Sequence, residues 1–367
     1  MKKAILLLVG SIIIMYSVHA QQKYTLNGYV RDGNTGEELI GVTVIIKEIS
    51  NGVVTNPYGF YSLTLAQGDY TIIYSYMGYR NVERTISLTK NETINIDLQE
   101  DVQEIEEVVI QGEALDEHVA DLNMSVNEIS VKQVKELPAL FGEPDIIKTI
   151  QMLPGVINAG EGTSAFFVRG GSADQNLILI DEAPVYDPSH LFGLFSVFNA
   201  DVIKDAELYK GGIPSQYGGR LSSILDVRTK DGNNKSFHGN GGIGLLASRL
   251  MLEGPIKKDH TSFLLSGRRS YVEPLIKATG EDFSVYFYDV NAKVNIRHSN
   301  KDRFFIALYA GRDSFSFGED FGFNWGNYTG TFRWNHLFSE RLFSNTSIIA
   351  SRFDYGLEFQ DPEEGFE

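Results

Sequence analysis

The last third of the chain is ruled by a period of two. Tyr286, Tyr288, Val290, Ala292, Val294 and Ile296 alternate with Asp289, Asn291, Lys293, Asn295 and Arg297. Gly326, Tyr328, Gly330, Phe332 and Trp334 alternate in the same way with Asn327, Thr329, Thr331, Arg333 and Asn335. Such alternation predicts long extended strands with one apolar and one polar face. Further strands are expected at Thr261–Tyr271, Arg303–Asp313 and Leu342–Tyr355. Between Phe237 and Glu253 the pattern slips, because Ile243 and Leu245 are apolar at odd positions and Leu250 and Leu252 at even ones. A tight reversal near Leu246–Ser248 would explain the slip and bring the strands of residues 236–367 to seven. A β-bulge would explain the slip alone.

The first third carries shorter runs: Thr25–Arg31, Val42–Glu48, Phe60–Leu65, Tyr70–Tyr76 and Thr93–Leu98. Turn signals such as Asp32-Gly33-Asn34, Asn51-Gly52 and Asn56-Pro57-Tyr58-Gly59 separate them, which predicts a β-sandwich over residues 22–99. An acidic connector, residues 100–114, follows. It embeds Glu106-Glu107-Val108-Val109-Ile110. Such a β-branched run behind acidic residues reads either as a last strand or solvated linker, or as an extended peptide offered to the sheet edge of a partner.

Residues 115–231 change period again. A short strand at Met124–Ile129 and a helix from near Ser130 are expected, then a helix over Glu143–Met152 ended by Pro154-Gly155. Beyond it the apolar run Leu177–Asp181 lies among glycine pairs, Gly170-Gly171, Gly211-Gly212 and Gly218-Gly219, as in a compact mixed α+β domain made largely of turns. The whole is therefore mostly β, with an N-terminal sandwich, a mixed domain and a set of long strands.

Charge narrows the function. With 48 acidic against 32 basic residues the net charge is −16, opposite to the basic footprint of a nucleic-acid binder. There is no cysteine, which removes thiolate zinc sites, disulfide frameworks and cysteine nucleophiles. Lys2 and Lys3, the apolar run Ala4–Met15 and Val18-His19-Ala20 have the form of a secretory signal peptide, residues 1–20, so the mature chain is expected to be exported.

Two stretches resemble known families. Gly28-Tyr29-Val30, Leu39–Val44, Thr55–Tyr61 and Ser75–Tyr79 are similar to the carboxypeptidase-regulatory-like module, which implies an accessory, non-catalytic sandwich. Leu153–Val156, Phe167–Gly171, Asn176–Asp181, Lys210-Gly211-Gly212 and Tyr217–Arg220, in that order, resemble the plug domain of TonB-dependent outer-membrane receptors of the Bacteroidetes type. That family usually has glycine after the aspartate of the apolar run, where this chain has Glu182.

The resemblance implies that the long strands begin a transmembrane β-barrel. A plugged transporter barrel has about 22 strands, so the chain is expected to end inside it. Short connections at Gly254–His260, His298–Asp302 and Leu337–Arg341 alternate with long ones at Val272–Ser284 and Ser314–Phe323, and the reversal near Leu246–Ser248 would place the short ones on the periplasmic side.

The implied function is receptor-mediated, energy-coupled uptake rather than catalysis. The ligand would be an iron chelate, cobalamin, a peptide or a glycan, and the alternatives are a ligand-sensing signalling receptor or a surface adhesin. Glu106, Glu107, Val108, Val109 and Ile110 would form the TonB box, pairing with a TonB-type energy transducer. Arg169 and Arg220 are candidate latches to acidic groups on the barrel wall, and His190 is a candidate ligand contact. Outer-membrane lipid and a surface lipoprotein are the other partners implied, with no cofactor, metal or nucleic acid. Two apparent motifs carry little weight. Gly239–Gly244 spells GxGxxG outside any strand–turn–helix context. Asp181, Glu182 and Asp187 read as turn carboxylates rather than an acid–base or metal group.

Overall fold

The computed structural model describes residues 22–101, 126–136, 143–160, 163–278, 280, 283–318 and 321–359. Residues 1–20, expected as a signal peptide, and Glu106–Ile110 lie outside the described residues. The chain divides into two compact units, the N-terminal sandwich and a unit holding the mixed domain and the long strands.

In the sandwich, β1 (Lys23–Asp32) pairs antiparallel with β4 (Phe60–Ala66) and parallel with β7 (Glu92–Thr93) and β8 (Ile96–Leu98). The second sheet runs β3 (Asn51–Val54), β2 (Thr43–Ile46), β5 (Gly68–Ser75) and β6 (Val82–Leu88). Inward residues of both sheets, Leu26, Val30, Val44, Ile46, Ile72, Tyr74 and Leu98 among them, form one buried core. Tyr61 and Tyr74 satisfy their hydroxyls there on each other, 2.7 Å apart, as buried phenols must. The runs leave out β3 and β6, since both are edge strands whose side chains are largely exposed and so lack a strong apolar rhythm.

The mixed domain is built on a five-stranded sheet in the order β13 (Ala183–Pro184), β12 (Asn176–Ile180), β17 (Ser223–Thr229), β16 (Ile203–Tyr209), β9 (Val126–Ser130). Only β12 and β17 run parallel. Helices α1 (Val131–Glu136) and α2 (Ile146–Ile150) cover one face, burying Val134, Ile146, Ile147 and Ile150 against Ala206, Leu208, Leu225 and Val227. α2 begins three residues later than its sequence pattern suggests. Asp145 is extended and its side chain caps the backbone N–H groups of Ile147 and Lys148, so it stands outside the helix as an N-cap. Leaving the sheet, β10 (Val156–Asn158) pairs with β11 (Phe166–Val168), and β14 (Ser189–His190) with β15 (Phe195–Ser196).

The long strands form one antiparallel meander of seven: β18 (His238–Ile243), β19 (Ala247–Lys257), β20 (Thr261–Ser270), β21 (Phe283–Arg297), β22 (Asp302–Phe317), β23 (Phe321–Ser339) and β24 (Leu342–Phe359). The slip in the pattern is a reversal after all. It turns at 244–246, with the Gly244 N–H donating to the Ala247 carbonyl at 2.8 Å. Gly239–Gly244 therefore spans an antiparallel strand and its turn, not a phosphate loop. The stretch Ser314–Phe323, expected as a long loop, is instead mostly strand, because β22 and β23 stay paired from His336↔Asp302 to Phe317↔Phe321. The alternation holds. Val290, Ile306, Leu308 and Phe332 are exposed, while Asp289, Asn291, Lys293, Asn295, Thr331 and Arg333 are buried. The polar face is thus the inner one, packed on the mixed domain.

A buried charged seam between mixed domain and strand meander

Charged side chains of the meander meet charged side chains of the mixed domain in three clusters. The first is organised by Lys293 on β21. Its Nζ lies 3.0 Å from Asp181 Oδ1 and 3.0 Å from Asp231 Oδ1, and it donates to the Thr229 carbonyl at 2.8 Å. Burial disfavours the charged Asp231, but Lys293 and Lys204 outweigh that and hold its pKa at about 2. Asp181 also accepts from the Thr229 hydroxyl, and its backbone carbonyl accepts from Thr331 Oγ1 at 2.8 Å. Here the missing family glycine finds its account. Asp181 and Glu182 make the two-residue turn between β12 and β13 with φ of 45° and 73°, the positive pair that a type I′ turn demands. Arg333 stands 3.2 Å from Glu182.

The second cluster centres on His190, which is 2% exposed. Its Nδ1 lies 2.6 Å from Asp313 Oδ2 on β22 and its Nε2 3.3 Å from Asp289 Oδ2 on β21. The backbone N–H of Leu191 donates to Asp313 Oδ1 at 2.8 Å. Arg268 on β20 donates to Asp289 from Nε at 2.8 Å and to the Ser196 carbonyl from Nη2 at 2.7 Å. The imidazole stacks on Phe287, centroids 4.4 Å apart.

The third cluster joins Arg249 on β19 to Asp201 and Glu143, each at 2.7 Å. Lys135 meets the same Asp201 at 2.9 Å. Burial works against the Asp201 charge, and Lys135 and Arg249 more than offset it, lowering its pKa.

The candidate residues named from the sequence fall elsewhere in part. His190 offers no free ring nitrogen to a ligand, since both face carboxylates in a buried interface. Arg169 and Arg220 are both exposed. Arg169 sits at φ 47°, and Arg220 donates to the Gly219 carbonyl at 3.3 Å. Arg220 also lines a cavity of about 400 Å³ together with Asp174, Tyr186, Asp187 and Phe192. The meander residues that do bridge to the mixed domain were not singled out as site residues in the sequence: Lys293, Arg268, Arg249, Asp289 and Asp313. Their signal was a charge on the polar side of an alternating strand, which reads equally well as ordinary solvation. Among the described residues no cluster of His, Asp and Glu is arranged to hold a metal ion, and no helix is long and apolar enough to cross a membrane.

Residues 26–110 match the CarboxypepD_reg-like domain and residues 119–223 the TonB-dependent Receptor Plug Domain. The first match runs through Glu106–Ile110. The TonB-dependent receptor SusC of Bacteroides thetaiotaomicron is 28% identical over 64% of this chain and 24% of its own length. The TonB-dependent receptor P39 of Formosa agariphila is 28% identical over 62% of this chain and 21% of its own. The chain thus spans about a quarter of the curated relatives it matches, and these are receptors, not enzymes. Among solved structures, the siderophore receptor PirA from Acinetobacter baumannii aligns with a TM-score of 0.43 and 15% identity over 67% of this chain and 46% of that one.

Proposed function

We propose that this chain, which carries a TonB-dependent receptor plug behind a CarboxypepD_reg-like domain, serves energy-coupled uptake of a scarce ligand across the bacterial outer membrane. The observation that carries the reading is the charged seam. A domain meant only to fill a lumen would be served as well by apolar packing, since a buried ion pair is often no more stable than a hydrophobic replacement. Buried pairs are costly to break one-sidedly, yet each partner is hydratable once water enters, so they suit a contact that must hold and also open.

In this reading the apolar face of the meander meets lipid and its polar face holds the plug. Glu106–Ile110 pairs as an added strand with a periplasmic energy transducer, and traction on it works the seam loose. Extended acidic and β-branched residues suit strand addition, where backbone hydrogen bonds bind and alternate side chains select. The ligand is an iron chelate, cobalamin, a peptide or a glycan, and a glycan would bring in a surface lipoprotein as partner. Arg169 and Arg220, both exposed, would act as latches to acidic groups on the barrel wall.

The test is deletion of Glu106–Ile110 from the complete receptor. Ligand binding to cells should persist while accumulation falls to the level of cells lacking the transducer. Unchanged accumulation would sink the proposal.

A further inference from the structure

We infer that the doubly protonated ring of His190 is a clamp, and that loss of its proton unfastens the plug loop 185–197 from strands β20 to β22. The inference stands on the geometry of the docked plug and not on transport, so it survives or fails independently of the uptake reading.

Among the described residues the charged groups that face the ring come from four elements. From β21 comes Asp289, from β22 Asp313, and from β20 Arg268, which shares Asp289 with the ring. Tyr309 of β22 brings its hydroxyl to 3.4 Å from Nε2. From the plug's own loop comes Asp187, which the Ser189 N–H and hydroxyl satisfy at 3.0 and 2.6 Å. Glu143 acts on Arg268 from farther off. The inner set is thus two carboxylates, one guanidinium and one imidazole, all nearly without solvent. With a neutral ring, two buried anions share a single fixed cation. With an imidazolium, the set is neutral and both ring nitrogens donate, one to each carboxylate. A neutral ring has only one N–H and would press a lone pair against the other carboxylate.

Burial by itself lowers the tendency of the ring to hold a proton, but Asp313 and Asp289 reverse that and raise its pKa above the ordinary imidazole value. A raised folded value sets the sign. The clamp is complete below the ordinary imidazole range and is lost as pH rises through the raised value. Across that window docking weakens by up to about tenfold per pH unit.

What the clamp holds is a strained loop. Leu191 and Phe192 both have positive φ, 49° and 57°, a left-handed conformation that is strained for a bulky side chain. Asp313 fixes it directly by accepting from the Leu191 N–H. Loss of the proton therefore removes the counter-charge of the same carboxylate that anchors the strained backbone.

The experiment uses the complete receptor in detergent or nanodiscs, with ¹⁵N-labelled histidine. At neutral pH the His190 ring should show both nitrogens protonated, its resonances assigned by their absence in His190→Gln. Backbone amide exchange of residues 185–197, corrected for intrinsic rate, should rise in wild type as pH passes the ring's titration. It should be flat with pH in His190→Gln, which cannot titrate. A single neutral tautomer at neutral pH, or the same pH slope in both proteins, overturns the clamp. Should His190→Gln fail to assemble, Asp313→Asn serves instead. It must move the titration to lower pH, and an unmoved titration counts against the inference.

Discussion

At the scale of the residue, Lys293 concentrates more of the seam than any other side chain described here. It is 4% exposed and meets two carboxylates and a carbonyl within 3.0 Å. Replacing it with methionine removes the cation that Asp181 and Asp231 share and leaves Asp231 only Lys204, 3.9 Å away, a loss of about 3–5 kcal/mol by the general behaviour of broken buried pairs. Denaturant unfolding of the complete receptor should show that loss, and adding Asp181→Asn and Asp231→Asn should restore most of it. Non-recovery would mean that the lysine acts by packing rather than charge. Asp231 adds a pH dependence of its own. Its pKa is depressed to about 2, so its contribution is present above the ordinary carboxylate range and fades as pH falls towards 2. The sequence let Asp181 be seen, as the end of an apolar run, but not its partners. Lys293 and Asp231 lie 62 residues apart along the chain, and nothing local in either stretch announces that a sheet stacking will join them.

At the scale of the element, what could be read depended on whether a pattern had a single face to obey. Strands β21 and β23 were legible because over most of their length one side is buried and polar and the other apolar and more exposed, whereas β22 alternates in burial but places Phe305, Ala307 and Tyr309 on its buried side between Arg303 and Asp313. The reversal at 244–246 was legible as a phase change in that rhythm. Edge strands β3 and β6 were not, since they bury little, and the start of α2 was misplaced because Asp145 looks like a first-turn acid until its extended backbone marks it as a cap. That cap has a second partner, the Ser196 N–H, at 2.7 Å from Oδ2. Asp145→Ala should therefore cost more than the ~1 kcal/mol of an ordinary N-cap, while Asp145→Asn should recover part of it. Equal losses for the two variants, measured by thermal unfolding, would deny the hydrogen bonds their role. The exposed face of the meander offers a complementary check. Leu308, 55% exposed, should tolerate phenylalanine in a bilayer, whereas Leu308→Arg should cost about 2–4 kcal/mol if the position is near the midplane. A neutral outcome for arginine would place that face in water.

At the scale of the whole molecule, the question is whether the plug leaves the strands when the receptor works. The chain has no cysteine, so two engineered ones are the only thiols in these residues. Asn199 on the plug side donates from Nδ2 to Ser266 Oγ on β20 at 3.0 Å, in a buried setting. Asn199→Cys with Ser266→Cys puts two thiols within reach of a short bis-methanethiosulfonate bridge, which thiol reductants remove. Bridging ties the plug, at the connection between β15 and β16, to β20 without adding or deleting a charge in the three clusters. If energy-coupled uptake needs this seam to part, the bridged receptor should bind ligand as before and accumulate at least about tenfold less, with accumulation returning on reduction. Each single-cysteine variant treated with the same reagent controls for lost hydrogen bonding. Undiminished accumulation with the bridge in place would show that any passage opens elsewhere in the plug. The clusters of Lys293, His190 and Arg249 would then be static anchors. The distinction matters for Glu106–Ile110 as well. A seam that never parts can still leave the leash able to unravel β9, the outermost strand of the plug sheet and the first to feel tension from the N-terminal side. That route would spare the bridged contact, and amide exchange at Val126–Ser130 under load would reveal it.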